Sequence, residues 1–367
     1  MSPEIVVDLA SIRHNVRTLR ELTGVASMTV VKADGYGHGM VEVARAAREA
    51  GSEWIGVATM DEALRLRASG DTGRLLCWLT MPGDDWAAAI EADVDVTAYS
   101  VAELDAIAAT GRTARVQLKV DTGLSRGGAT LESWPAVVDR ARQGEADGSW
   151  RITGIWSHLA ASDEPEHPAN DAQERAFRQA IEVAEGLTPE VRHLANSAAG
   201  ILRPSSRFDL VRFGLASYGL DPAPGLTPDL GLVPAMTVRA PLVSAKPIAA
   251  GAGVSYGHTW IAETATTVGL VPVGYGDGVP RHASNAAHVL VDGKQRVMRG
   301  RVCMDQFVVD LDGDLPPVGE DVVLFGPGRD GEPTAQDWAE AADTISYEIV
   351  TRIGGRLSRR YVEGIEE

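Results

Sequence analysis

A lysine that ends an apolar run and opens a glycine-rich turn is the first place where chemistry can be read. In Thr29-Val30-Val31-Lys32-Ala33-Asp34-Gly35-Tyr36-Gly37-His38-Gly39, a β-branched run closes on Lys32, and three glycines alternate with Tyr36 and His38 before a helical segment, Met40–Ala50. An amine at the carboxyl end of a buried parallel strand stands where barrel enzymes place their reacting groups. Desolvation lowers its pKa, which a lysine that forms an imine with a carbonyl requires. The glycines allow backbone close to a ligand, and the helix start offers free N–H groups to an anion. A lysine snorkelling beside an ordinary glycine turn has the same local signature, so other stretches must discriminate.

Four further stretches follow strand-like runs. They are Lys119-Val120-Asp121-Thr122-Gly123-Leu124-Ser125-Arg126, Ser157-His158, Asn196-Ser197-Ala198-Ala199 and Arg212-Phe213-Gly214-Leu215. Taken singly, His158 reads as a structural histidine, Asn196-Ser197 as a helix cap, and Asp121 with Arg126 as a surface pair. Their shared position after successive strands changes that. One strand-end lysine, two arginines, a histidine and two phosphate-type loops suit an anionic aldehyde held through its phosphate. Pyridoxal phosphate fits, with Lys32 as its imine partner.

The elements that position these groups follow from periodicity. Strand-like runs at Met28–Val31, Trp54–Ala58, Arg74–Leu79, Asp95–Tyr99, Arg115–Val120, Ile152–Ser157, Val191–Leu194 and Leu210–Phe213 alternate with helix-like segments. Eight such units predict a (β/α)8 barrel, and no Gly-x-Gly-x-x-Gly fingerprint follows a strand to favour a doubly wound sheet. The first helix is expected over Ser11–Leu22, with Ser11 as N-cap. A linker rich in proline and glycine, Asp221–Pro234, separates this from short strand candidates between Met236 and Phe325, so a mostly β second domain is expected.

The 367 residues carry a formal net charge of −17, which disfavours nucleic acid or an anionic membrane as partner. No apolar run approaches ~20 residues, and Met1-Ser2-Pro3-Glu4 lacks the basic and apolar regions of an export signal. Cys77 and Cys303 show no metal-type spacing, and a cytoplasmic protein without disulfides is expected.

The motifs VVKADGYGHG, KVDTGLSR, SHLA, ANSAA, RFGLASYG, VSYGHTW, GYGDGVPR, GRVCMDQ and TISYEI run nearly end to end. Together they resemble the bacterial alanine racemases, pyridoxal-phosphate enzymes. The resemblance implies a barrel over 9–232 and a mostly β unit built from 1–8 plus 233–367, in a head-to-tail homodimer with shared active sites. It implies that Lys32 binds the cofactor and acts as the base on the D-alanine face. Tyr256 of the partner would act on the L-alanine face, completing a two-base racemisation that supplies D-alanine for peptidoglycan. Tyr36, Ser197, Tyr347 and the backbone of Gly214 and Leu215 would hold the phosphate, with Asn196 beside it. Arg212 would face the pyridine nitrogen and, through His158, stabilise the tyrosine phenolate. Arg126 and the partner's Met304 amide would take the substrate carboxylate. Lys119 is the family's carbamylation position, and Tyr275 and Asp305 would line the entrance. Ser125 stands where glycine is frequent in the family and Gly276 where alanine is.

On residues alone, Tyr256 is an ordinary strand residue and Tyr275, in GYGDG, is its nearest rival. A broader amino-acid racemase or a barrel-type decarboxylase shares the scaffold, although decarboxylases lack the VSYG and CMDQ motifs. A non-catalytic pyridoxal-phosphate carrier needs no second base and hence no second domain carrying Tyr256 and Met304.

Overall fold

The computed structural model describes residues Ser2–Gly364; Met1 and the last three residues of the expected C-terminal unit lie outside the described residues. Eight parallel strands, Ala26–Val30, Trp54–Val57, Arg74–Cys77, Asp95–Ala98, Ala114–Lys119, Trp150–Trp156, Val191–His193 and Leu210–Phe213, pair in sequence order, and the last pairs with the first. The remaining seam is bridged by single backbone bonds, from Asp209 N to Arg192 O (3.0 Å) and from Arg212 N to Ala195 O (3.1 Å). With helices between the strands, this is the (β/α)8 barrel.

A nine-stranded mostly antiparallel sheet forms the second domain. Its strand Glu4–Asp8 comes from the chain start. It lies between Met236–Pro241, antiparallel, and Ser358–Val362, parallel. The short strands Gly253–Val254 and Trp260–Ile261 form a separate ribbon around Tyr256.

The first helix spans Leu9–Thr23, and its N-cap is Asp8 rather than Ser11: the Asp8 carboxylate accepts from Ala10 N (2.9 Å) and from Ser11 Oγ (2.7 Å). A carboxylate takes two donors at once and also suits the positive helix end, which is why it displaces the serine.

Candidate active site

Strand ends position the cluster. Lys119 ends the strand Ala114–Lys119, Arg212 lies within Leu210–Phe213, and Lys32 follows Ala26–Val30 after one residue. With Tyr36, Arg126, His158, Asn196, Ser197, Gly214, Leu215 and Tyr347 they line one cavity of about 300 Å³ at the carboxyl face of the barrel. Eleven of the fifteen residues singled out from sequence meet there.

Lys32 opens an unusual turn. Ala33, Asp34, Gly35, Tyr36 and Gly37 all have positive φ (51°, 52°, 64°, 52° and 80°), a left-handed turn that L-residues enter at about 1–2 kcal/mol each. Glu62 helps to hold it. Its Oε1 accepts from Ala33 N (2.7 Å), while Oε2 accepts from Ala58 N (2.8 Å) and Thr59 N (3.2 Å) to complete the capping box of Met60–Ala68. Here the glycines differ from the sequence reading. None of Gly35, Gly37 and Gly39 lines the cavity; a Cβ on Gly37 would meet Val350 O at 2.1 Å, and one on Gly39 would meet Tyr361 Oη at 1.9 Å. Gly37 and Gly39 make room for the second domain rather than for a ligand, and Gly35 for the helix start at Met40.

Burial, then the positive field of Arg126, lowers the Lys32 amine pKa. Burial and then Arg212 and Arg126 push Lys119 down to about 8. Aromatic rings stand where carboxylates might. Trp78 lies 5.9 Å from Lys32 Nζ; Trp156 lies 4.6 Å from Lys119 Nζ and 5.0 Å from the Arg212 guanidinium carbon. Such faces attract cations without neutralising them.

Four bonds fix the Arg212 guanidinium. Its Nη1 donates to His193 Nδ1 (2.8 Å), and its Nη2 donates to Ser157 O (2.9 Å), Leu194 O (2.9 Å) and His158 Nδ1 (3.1 Å). No bond from its Nε is made among the described residues, and Nη1 makes one bond with its two N–H groups, so donors are left on a side chain that lines the cavity. Burial pushes this guanidinium down to about 9, below the value above 12 usual for arginine, yet it remains a cation at pH 7. His158 is held well below its ordinary pKa, first by burial and then by Arg212, and is neutral. Because Nδ1 accepts from Arg212, the His158 proton sits on Nε2 and can be donated. The same logic gives His193 an Nε2–H donated to Gln117 Oε1 (2.7 Å). His193, Gln117, Trp78, Trp156 and Glu62 were missed from sequence. Only Glu62 carried a signal, the Thr59-x-x-Glu62 capping pattern.

At the other end of the cavity, the Ser197 hydroxyl accepts from Gly214 N (2.9 Å), leaving its own proton without an acceptor among the described residues. The Tyr36 and Tyr347 hydroxyls also have none. Burial raises the pKa of both, Tyr347 to about 12, so both remain donors. A Cβ on Gly214 would meet Tyr36 Oη at 2.4 Å, so this position must be glycine to let the backbone approach. Three unpaired hydroxyl donors at one end and a spare guanidinium donor among cations at the other fit a phosphorylated pyridine aldehyde. Asn196 lines the cavity, but its side chain is engaged, capping Ser197–Leu202 through Ala199 N (3.1 Å) and donating to Ser162 Oγ (2.8 Å).

Asp121 does not pair with the Arg126 side chain. Its carboxylate accepts from the backbone N–H of Gly123 (2.9 Å), Ser125 (3.1 Å) and Arg126 (3.0 Å), which shapes the loop that turns Arg126 into the cavity. Ser125 has φ +57°, the conformation that makes glycine favourable there.

Tyr256, Tyr275, Met304 and Asp305 do not line this cavity. Tyr256 is 72 % exposed, Met304 55 % and Tyr275 43 %. They share one patch of the second domain: Tyr275 N donates to Cys303 O (3.0 Å), Gly276 N to Met304 O (2.8 Å), and Ser255 Oγ to Arg301 O (2.6 Å). Asp305 pairs with Arg356 (2.6 Å), which also holds buried Asp277.

Comparison with known proteins gives these features a common origin. Residues 7–222 match the alanine racemase N-terminal domain and residues 235–361 the alanine racemase C-terminal domain. The alanine racemase of Streptomyces coelicolor is 53% identical over 370 residues, covering 97% of this chain and 95% of that protein. The alanine racemase of Thermobifida fusca is 51% identical, covering 99% and 98%. The crystal structure of alanine racemase from D-cycloserine-producing Streptomyces lavendulae superposes with a TM-score of 0.97 at 52% identity, covering 100% of this chain and 98% of that one. The chain belongs to the alanine racemase family, isomerases that interconvert the two enantiomers of alanine.

Proposed function

We propose that this chain binds pyridoxal 5'-phosphate through Lys32 and racemises alanine in the cytoplasm by a two-base mechanism, as a homodimer, making D-alanine for peptidoglycan. The reading assigns residues 9–232 to cofactor binding and residues 1–8 with 233–367 to the unit that reaches a second copy. The observation that supports it most is the cavity itself: a desolvated lysine and three acceptorless hydroxyls face cations that make no salt bridge among the described residues.

When bound, the cofactor withdraws electrons from the α-carbon of the amino acid and so acidifies its proton. The rest is the work of this chain. Ser197, Tyr36, Tyr347 and the Gly214–Leu215 backbone would hold the phosphate with neutral donors, the Gly214 N–H being shared with Ser197 Oγ, while Asn196 fixes the helix start beside it. Arg212, still charged at neutral pH, rarely gives up its proton and so draws less electron density than an acid partner would, disfavouring protonation away from Cα. Arg126 takes the substrate carboxylate, with the Met304 amide of a second copy opposite. Lys32 Nζ takes or returns the Cα proton on the D-alanine face, and Tyr256 Oη of the second copy does so on the other. A tyrosine with the ordinary pKa of about 10 needs help to act as a base at pH 7; the His158 Nε2–H, polarised by Arg212, is the donor available to its phenolate. Lys119 feels the positive field of Arg212 and Arg126, and carbamylation, which turns its ammonium into an anionic carbamate, would replace that repulsion with attraction. Tyr275 and Asp305 flank the approach. The exposed apolar patch of Tyr256, Tyr275 and Met304 suits burial against a second copy.

The test is the absorbance of the purified protein, followed by L-alanine in D₂O with chiral analysis. An aldimine-type band with deuterated D-alanine is expected, and Lys32→Ala loses both. Tyr256→Phe keeps the band and loses racemisation, with α-exchange surviving in D-alanine. Symmetric loss of exchange would make Tyr256 structural. A band without racemisation of alanine, or with equal rates on larger amino acids, would favour the carrier or the broad racemase.

A further inference from the structure

We propose that the C-terminal strand Ser358–Val362 clamps the left-handed turn carrying Lys32, and that Arg359 is a positioning residue for that amine, acting through Asp34. The inference rests on the catalytic reading of Lys32. A run of positive φ through Ala33, Asp34 and Tyr36 persists only where surrounding structure imposes it. The barrel supplies part of that restraint through Glu62 on Ala33 N. Within the turn, Gly35 N donates to Val31 O (2.8 Å), Gly37 N to Ala33 O (3.1 Å) and Gly39 N to Asp34 O (2.7 Å).

The second domain supplies the rest. Arg359 Nη1 pairs with Asp34 Oδ2 (2.9 Å), and Asp34 Oδ1 accepts from Met40 N (3.1 Å), so one carboxylate ties the strand to the start of the helix Met40–Glu49. Tyr361 Oη sits against Gly39 and Val350 O against Gly37, each so close that only glycine fits. The turn is therefore gripped from two sides, and its two glycines are the grip points. Asp34 and Arg359 are partly exposed, at 45% and 26% of their side-chain area. Breaking their pair should leave the fold standing while loosening the turn.

The experiment compares wild type, Arg359→Gln and Arg359→Lys as holoenzymes. In Arg359→Gln, hydrogen exchange at the Gly35, Gly37 and Gly39 amides is expected to quicken about tenfold while the strands His288–Val291 and Lys294–Arg299 keep their protection. The kcat is expected to fall about tenfold with KM within about twofold, since misplacement by a fraction of an ångström acts on the reacting geometry. The α-deuterium isotope effect should rise for D-alanine and not for L-alanine, and Arg359→Lys should recover most of both losses. Unchanged exchange in Arg359→Gln overturns the clamp. Faster exchange with unchanged kcat, or faster exchange across the whole molecule, overturns the positioning role. A wild-type protein that leaves alanine unracemised would sink the catalytic reading instead, and exchange at the three glycines would still decide the clamp.

Discussion

The two ends of the barrel contain the same kinds of side chain and treat them in opposite ways. At the amino ends of the strands, buried Asp95 accepts from Arg74 Nη2 (2.7 Å), Arg115 Nε (2.8 Å) and Thr153 Oγ1 (2.6 Å). Arg74 also reaches Glu190 and stacks 4.1 Å from the Trp54 ring centroid, and Arg115 also pairs with Asp93. Both of these arginines have their anions. At the carboxyl ends, Lys32, Lys119, Arg126 and Arg212 face one cavity with no carboxylate in salt-bridge contact among the described residues; aromatic rings line it instead. The first end is complete as folded. The second keeps Lys119 and Arg212 buried without a carboxylate in contact, which is costly and suits an anion from outside.

The largest effect expected from this contrast is at the closed end. Asp95→Ala takes the buried carboxylate from two arginines, which keep only Glu190 and Asp93, and from the Thr153 hydroxyl, and denaturant unfolding should show a loss of about 3 kcal/mol. Activity per folded molecule should not change. A loss below about 1 kcal/mol would mean that the network is merely surface pairing.

This contrast was only half legible in the sequence. Lys32, Lys119 and Arg212 stood out because each is a cation ending or interrupting a β-branched run. Asp95 did not, since a carboxylate opening a strand looks the same whether it is solvated or triply bonded. His193 and Trp156 look like core, and their roles appear only when Arg212 is seen against both. The eight-strand period was plain because parallel strands buried on both faces are continuous apolar runs. By contrast, the strand Ser358–Val362 pairs with Glu4–Asp8 from the opposite end of the chain, and no local pattern encodes such a partner. The left-handed turn was hidden for a similar reason: Ala33, Asp34 and Tyr36 are not residues that ask for positive φ, and the groups that impose it lie far along the chain.

A second, smaller effect is expected at the open end and has the opposite sign. Lys119→Met removes a buried cation that repels Arg212 and Arg126. The cofactor-free enzyme should gain about 2 kcal/mol, the depression from 10.5 to about 8 being discounted for residual solvent and for the lost contacts to Trp156 and Tyr99. Its thermal midpoint should rise by a few degrees while racemase activity falls, the exchange of stability for function that an unpaired site implies. A lower midpoint would show that Lys119 is a structural cation after all.

The smallest and most diagnostic effect is in pH. In the cofactor-free enzyme the folded pKa of Lys119 is about 8, below its unfolded value of 10.5. Below pH 8 both states hold the proton and the full cost of burying it is felt. Between about pH 8 and 10 the folded state has released it and the unfolded state has not, so the unfolded state binds more protons and stability rises with pH. The slope contributed by this one amine is at most about 1.4 kcal/mol per pH unit. Lys32, lowered by burial, adds in the same direction. From about pH 9 Cys77, pushed up to about 12 by burial, offsets part of this rise, and above pH 10 the sign reverses, because buried Tyr36 and half-buried Tyr99 are raised above the ordinary phenol value and resist ionising in the folded state. Unfolding midpoints measured from pH 7 to 10 should therefore climb in wild type and climb less in Lys119→Met, so the gap between the two closes as pH rises. The same series on Asp95→Ala should run parallel to wild type, since that variant keeps Lys119. A gap that stays constant from pH 7 to 10 would mean that Lys119 is not the strained cation, and the asymmetry between the two ends would have to be sought in Arg126 and Arg212 alone.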